Sequence, residues 1–265
     1  MREDKFTYDV ARHSVFFSPS HKKGDFFMSK NKAQARNQGV KNLVLAALFC
    51  AIAYVATLTT SWITVQGFLT FDIKDAIIAI SGLILGPLYT IIISLIVSLI
   101  EIIVIPQTGF WGFLMNFLST AAFSFVCALI YKYKKNLTGA VVGIVTSILS
   151  MTAMMVLLNL LVTPIYTGMP TKTIAAMIPT LFLPFNFTKA TLNGALVMIL
   201  YKPISTALKA SKMLPSNTLD ADKKKPAKGH SLVTSLIVSG ISLVVCAVCV
   251  AVFLLVLGGE LTPIW

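Results

Sequence analysis

Charge is what this chain has least of: 12% of its 265 residues are charged, against about 25% in soluble domains. With 56% hydrophobic residues and a mean hydropathy of +0.83, that scarcity excludes a water-soluble fold and also a disordered or collagen-like chain. Cysteine is sparse too. Cys50, Cys127, Cys246 and Cys249 all lie inside apolar runs, which argues against a disulfide framework. Cys246 and Cys249 have the spacing of a redox or zinc pair, yet no His or further Cys is near them, so they read as small hydrophobes. Walker A, Gly-rich dinucleotide, HExxH and nucleophile motifs are all missing. The chain therefore reads as no enzyme, and uphill movement of a solute would draw on an ion gradient or another subunit. The formal charge of +12 does not point to nucleic acid, because the basic residues flank apolar segments instead of forming a stripe.

What the chain does contain is a series of apolar runs, at residues 43–60, 73–86, 88–105, 111–131, 138–166, 178–201 and 231–257. A span needs roughly 20 residues, so these runs predict an all-α polytopic membrane protein. Its organisation reads as a basic N-terminal extension over 1–42, a six-helix membrane domain over 43–206, a charged linker over 207–230, an additional transmembrane helix over 231–258 and an extracellular tail over 259–265. The extension contains a second plausible start at Met28, which makes residues 1–27 dispensable by expectation. The second run is short for a span and is expected to tilt little or thin the bilayer.

Lysine and arginine counts set the expected orientation. With a cytoplasmic N-terminus, the inner side receives nine from residues 1–42, three from the loop at Lys132 and seven from Lys202 to Lys228, while the outer side holds Lys74 and Lys172. Nineteen against two places both ends of the six-helix domain inside a cell membrane. Only Lys189 remains, within the sixth span.

That orientation gives the intramembrane polar residues a common depth. Asn159, Thr163 and Tyr166 share one face in the outer half of span five, and Asn186, Lys189 and Asn193 share a face of span six that begins at a similar height. Glu101, Asn116, Asp72 and Asp75 join the same layer. Lys189 pairing with Glu101 or neighbouring carbonyls as interhelical glue would account for one such residue, but six or seven at one depth point to a cavity that opens outward. Trp62, Trp111, Tyr166, Phe182, Phe185 and Phe187 could wall a flat aromatic ligand or simply anchor the membrane interface. The loop from Ser61 to Lys74 is either a cover for the cavity or a plain connection. Pro184 begins or kinks a helix and frees backbone groups beside the pocket. Ala47 and Ala51, flanked by Ala46, Cys50 and Ala53, permit close approach of another helix, as do Gly82 and Gly86, whether internal or from a partner.

Several of these segments resemble the substrate-binding S components of energy-coupling factor (ECF) vitamin transporters, and within them the riboflavin-specific RibU type. They are Phe71-Asp72-Ile73-Lys74-Asp75 leading to Gly82 through Pro87, Asn116-Phe-Leu, Leu158-Asn159 with Thr163-Pro164-Ile165-Tyr166, and Leu183-Pro184-Phe185-Asn186-Phe187-Thr188-Lys189. The likeness spans about residues 40–208. It implies a six-helix S-component bundle that captures riboflavin or a related flavin from outside, with no cofactor of its own. Asn159, Asn186 and Lys189 would hold the ligand, and Tyr166, Phe185, Asp72 and Asn116 complete the expected site. A carboxamide can match the alternating acceptors and donor on the edge of a flavin ring, an ammonium can reinforce them, and the ring faces want apolar or aromatic walls. The resemblance also implies that Ala47 and Ala51 dock a transmembrane coupling subunit and that two cytosolic ATPases supply the energy. Ile73 and Lys74 depart from the family pattern, and the seventh span has no family counterpart. Alternative readings are an S component for another vitamin and an ion-coupled secondary transporter using Glu101 and Lys189 as a relay.

Overall fold

The computed structural model describes residues 20–60, 63–65, 69–104, 109–210, 230–255 and 259–261. The chain forms two compact units, Met1–Lys41 and Asn42–Trp265. The first helix, α1, is Ser20–Thr60. The rest of the 1–42 extension and the 211–229 part of the linker lie outside the described residues, as does Trp62.

The second unit is almost entirely helical: α2 Lys74–Leu85, α3 Pro87–Val104, α4 Gly109–Tyr133, α5 Leu137–Thr167, α6 Thr171–Met177, a π-helical turn Ile178–Phe182, α7 Leu183–Ala210 and α8 His230–Leu255. Three segments are long and apolar enough to cross a bilayer, namely Asn37–Thr60, Gly109–Tyr133 and Thr138–Thr167. The apolar stretches of α3 and α8 are shorter. At 1.5 Å per residue the 18 residues of α3 still reach about 27 Å, close to the thickness of the hydrocarbon layer.

The short second run is explained by its neighbours. α2 has only 12 residues, and Lys74 through Leu83 are all buried because α3, α4 and α7 pack around it. It meets helices instead of lipid. Gly82 lets it do so: a Cβ there would collide with the Thr90 side chain of α3 and come within 2.7 Å of Ala128 Cβ of α4. Gly86 then turns the chain into α3 at a φ of 106°, a conformation that side chains resist, with its N–H donating to Gly82 O at 2.8 Å. α5 starts where Asn136 accepts from the Gly139 N–H at 2.7 Å, so a residue with a chance glycosylation pattern serves as a helix cap.

Beside the helices lies a small antiparallel sheet. β1 (Ile63–Val65) pairs with β2 (Leu69–Thr70), and β3 (Gly259–Leu261) pairs with the other edge of β1, Thr64 lying opposite both Thr70 and Glu260. The Ser61–Lys74 connection is thus an ordered ladder where described, and residues expected to be a free tail supply its third strand. α8, which leads into β3, packs along α7.

Candidate functional site

At one end of the bundle, β2, α1, α3, α4, α5 and α7 leave a partly open cavity of about 100 Å³. One water needs roughly 10–15 Å³ by the same measure, so the space is real. All seven residues expected to bind substrate line it: Asp72, Asn116, Asn159, Tyr166, Phe185, Asn186 and Lys189. Of the other expected aromatics, Phe182 is buried in packing, Phe187 is exposed, and Trp111 packs against the core.

The polar floor is built from ion pairs. Lys189 Nζ donates to Asp72 Oδ2 at 2.8 Å and, more weakly, to Thr70 O at 3.4 Å. Its partner is not Glu101, which the sequence offered as the natural counter-ion. Glu101 Oε1 instead accepts from Lys74 Nζ at 2.6 Å, and Asn116 Nδ2 donates to Glu101 Oε2 at 3.3 Å. Lys74 was expected on the outer surface, yet it is 1% exposed. The correction has a physical reason: a lone carboxylate on an apolar helix needs a cation, and Lys74 at the first turn of buried α2 is within reach. Lys74 also approaches Asp72 Oδ2 at 3.5 Å, which joins the two pairs.

Asn193 fastens the floor to α7. Its Oδ1 accepts from the Ala76 N–H at 2.9 Å, one of the donors left unpaired at a helix start, and its Nδ2 donates to Asp72 O and Lys189 O, each at 3.0 Å. It holds the site without lining the cavity. Asn159 and Asn186 point their amides along their own helices. Asn159 Nδ2 donates to Met155 O at 2.7 Å and Oδ1 accepts from Thr163 at 3.0 Å, while Asn186 Nδ2 donates to Phe182 O at 2.8 Å. A carboxamide has two N–H groups and two carbonyl lone pairs, so both keep bonding capacity for a ligand. Pro184, which has no N–H to donate, follows the π-helical turn Ile178–Phe182, and the Phe182 carbonyl at the end of that turn accepts from the Asn186 side chain.

The aromatic wall is Phe185, Tyr166 and Phe113, with Phe71 set edge-on to Phe185 at 6.3 Å between ring centres. Thr57, Thr70, Gly112, Lys74 and Glu101 also line the cavity; of these, the sequence had placed only Glu101 in the polar layer around it. Lys74 stands next to a polar loop, so its local sequence carries no signal of burial. On α1, Ala46 and Ala53 are buried whereas Ala47 and Ala51 are exposed.

A helical bundle rich in apolar surface, with one partly open cavity floored by buried charges and walled by aromatics, defines a membrane protein that binds a small solute. The family model for the substrate-specific component of ECF transporters matches residues 41–204, and the chain belongs to that family. It is accordingly a substrate-binding subunit of a transporter and not an enzyme. The S component of a bacterial ECF transporter, a solved structure, superposes with a TM-score of 0.56 at 26% identity, covering 64% of this chain and 99% of that one. No curated protein matches. The family match ends before the linker, so α8 and β3 lie outside it.

Proposed function

We propose that this chain captures riboflavin or a close flavin relative at the outer face of the cell membrane and delivers it inward with a separate ECF module. The single observation behind this reading is that Asn159 of α5 and Asn186 and Lys189 of α7, residue types suited to the edge of a flavin ring, come together on one cavity beside Phe185 and Tyr166. In the cell, a transmembrane coupling subunit would dock on the exposed Ala47 and Ala51 face of α1, and two cytosolic ATPases would supply the energy. α1, α2, α3, α4, α5 and α7 make the six-helix S-component bundle, α8 is the appended seventh helix, and the N-terminus is cytoplasmic. The inward basic excess supports that orientation even after Lys74 leaves the outer count.

Purified full-length protein is expected to quench the fluorescence of added riboflavin. Asn186→Leu should weaken binding at least tenfold, about 1.4 kcal/mol, which is roughly one net hydrogen bond. Lys189→Met should do the same, but it also strands buried Asp72, so its folded yield has to be compared by size-exclusion chromatography. Unchanged riboflavin affinity in both variants would remove these residues from the site. Quenching by another vitamin in place of riboflavin would keep the cavity and reassign its guest.

A further inference from the structure

Five ionisable side chains are buried together at the cavity floor: Asp72, Lys74, Asp75, Glu101 and Lys189, none more than 6% exposed. Three are acids and two are bases. The ammonium of Lys189 is committed to Asp72 and that of Lys74 to Glu101, so no cation lies within ion-pair distance of Asp75 among the described residues. Asp75 is nevertheless fully buried. Its Oδ1 accepts from Thr120 Oγ1 at 2.6 Å, while its Oδ2 has no partner, and Asp72 Oδ1 is a second buried carboxylate oxygen without one.

Among the described residues, the surroundings supply no third cation that would offset the surplus charge. α4 presents Thr120 and Ser124 to Asp75 and has no charged residue between Gly109 and Tyr131. From α7 come Lys189 and the neutral Asn193, from α3 comes Glu101, already bound to Lys74, and from α2 and its lead-in come Lys74 and Asp72. An ionised carboxylate left single in a dry interior carries a large desolvation cost, and such groups take up a proton instead. A hard cation is a poorer solution. It asks for about six oxygen ligands, and two orphan oxygens fall short.

We propose that the cluster is a proton-binding site and that the proton resides on the Asp75 carboxyl. With it the five groups sum to zero, and the orphan oxygen of Asp75 becomes a hydroxyl donor. Only an O–H bond forms or breaks, the proton being exchanged with water. Asp72 connects this site to the ligand cavity, because it lines the pocket itself and so do both lysines that approach it. Nothing here depends on which solute the cavity takes.

Infrared difference spectroscopy on the ligand-free, full-length protein at pH 7 tests the assignment directly. The wild type should show the carbonyl band of a neutral carboxylic acid, displaced in heavy water, and Asp75→Asn should lose it. Glu101→Gln should lose it as well although Asp75 is still present, because two acids then balance two lysines. A buried acid unrelated to charge balance would keep its band in Glu101→Gln, and that persistence would overturn the proposal. So would persistence in Asp75→Asn, or a wild type without the band. Absence of the band together with a melting temperature raised by sodium chloride but not by choline chloride would replace the proton with a sodium ion.

Discussion

Lys74 and Lys189 show how strongly a buried ammonium depends on its counter-ion. Breaking a buried pair by removing one partner costs about 3–5 kcal/mol, because the other charge is left in a medium that cannot solvate it. Lys74→Met is therefore expected to lower the melting temperature of the detergent-solubilised protein sharply, with a loss of about 3–5 kcal/mol. Replacing both members, as in Lys74→Met with Glu101→Leu, should recover most of that loss, since an apolar pair of similar volume is often neutral by comparison. Recovery of less than half would show that Glu101 is held chiefly by Asn116. Lys189 was recognisable from sequence as an intramembrane charge because it is the only charged residue in the run 178–201. Lys74 was not, because it stands next to a polar loop and reads as a boundary residue. Its burial was decided by Glu101, 27 positions away.

At the scale of elements, the close approach of α2 to α3 and α4 rests on the missing side chain of Gly82. Gly82→Ala has to displace the Thr90 side chain and Ala128 together, and overpacking of this kind costs about 1–3 kcal/mol. A thermal unfolding series on Gly82→Ala should show a loss in that range, and an unchanged midpoint would mean that α3 can shift freely. The small residue could be read from sequence, but its two neighbours could not, since ridge-and-groove contacts depend on how three helices are rotated. The sheet was hidden for a related reason. Strands of two or three residues carry almost no periodicity, and β1 finds its second partner nearly two hundred residues along the chain.

For the whole molecule, the appended helix is the part that the family pattern does not account for. β3 (Gly259–Leu261) pairs with β1, whose other neighbour β2 contributes Leu69 and Thr70 to the cavity wall. A two-stranded ladder alone is marginal in water, so the third strand stabilises the wall. Truncation after Ala210 should leave riboflavin binding in place, because the family match ends at residue 204, yet speed its dissociation about tenfold, the worth of one net hydrogen bond. Stopped-flow fluorescence reads both quantities. Equal dissociation rates would make α8 a passive anchor.

Composition and the run lengths already determined that this chain is a helical membrane protein with a polar layer at one depth, because the cost of placing charge in hydrocarbon leaves few other arrangements of so apolar a sequence. Helical spacing further put Asn159 with Tyr166 and Asn186 with Lys189 on common faces. Which carboxylate answers which lysine, that α2 is surrounded by helices instead of lipid, and that Gly259–Leu261 forms a strand were decided only in three dimensions. Those outcomes depend on distances between segments remote in sequence, and electrostatic and packing energies change over a few ångströms that no local pattern encodes.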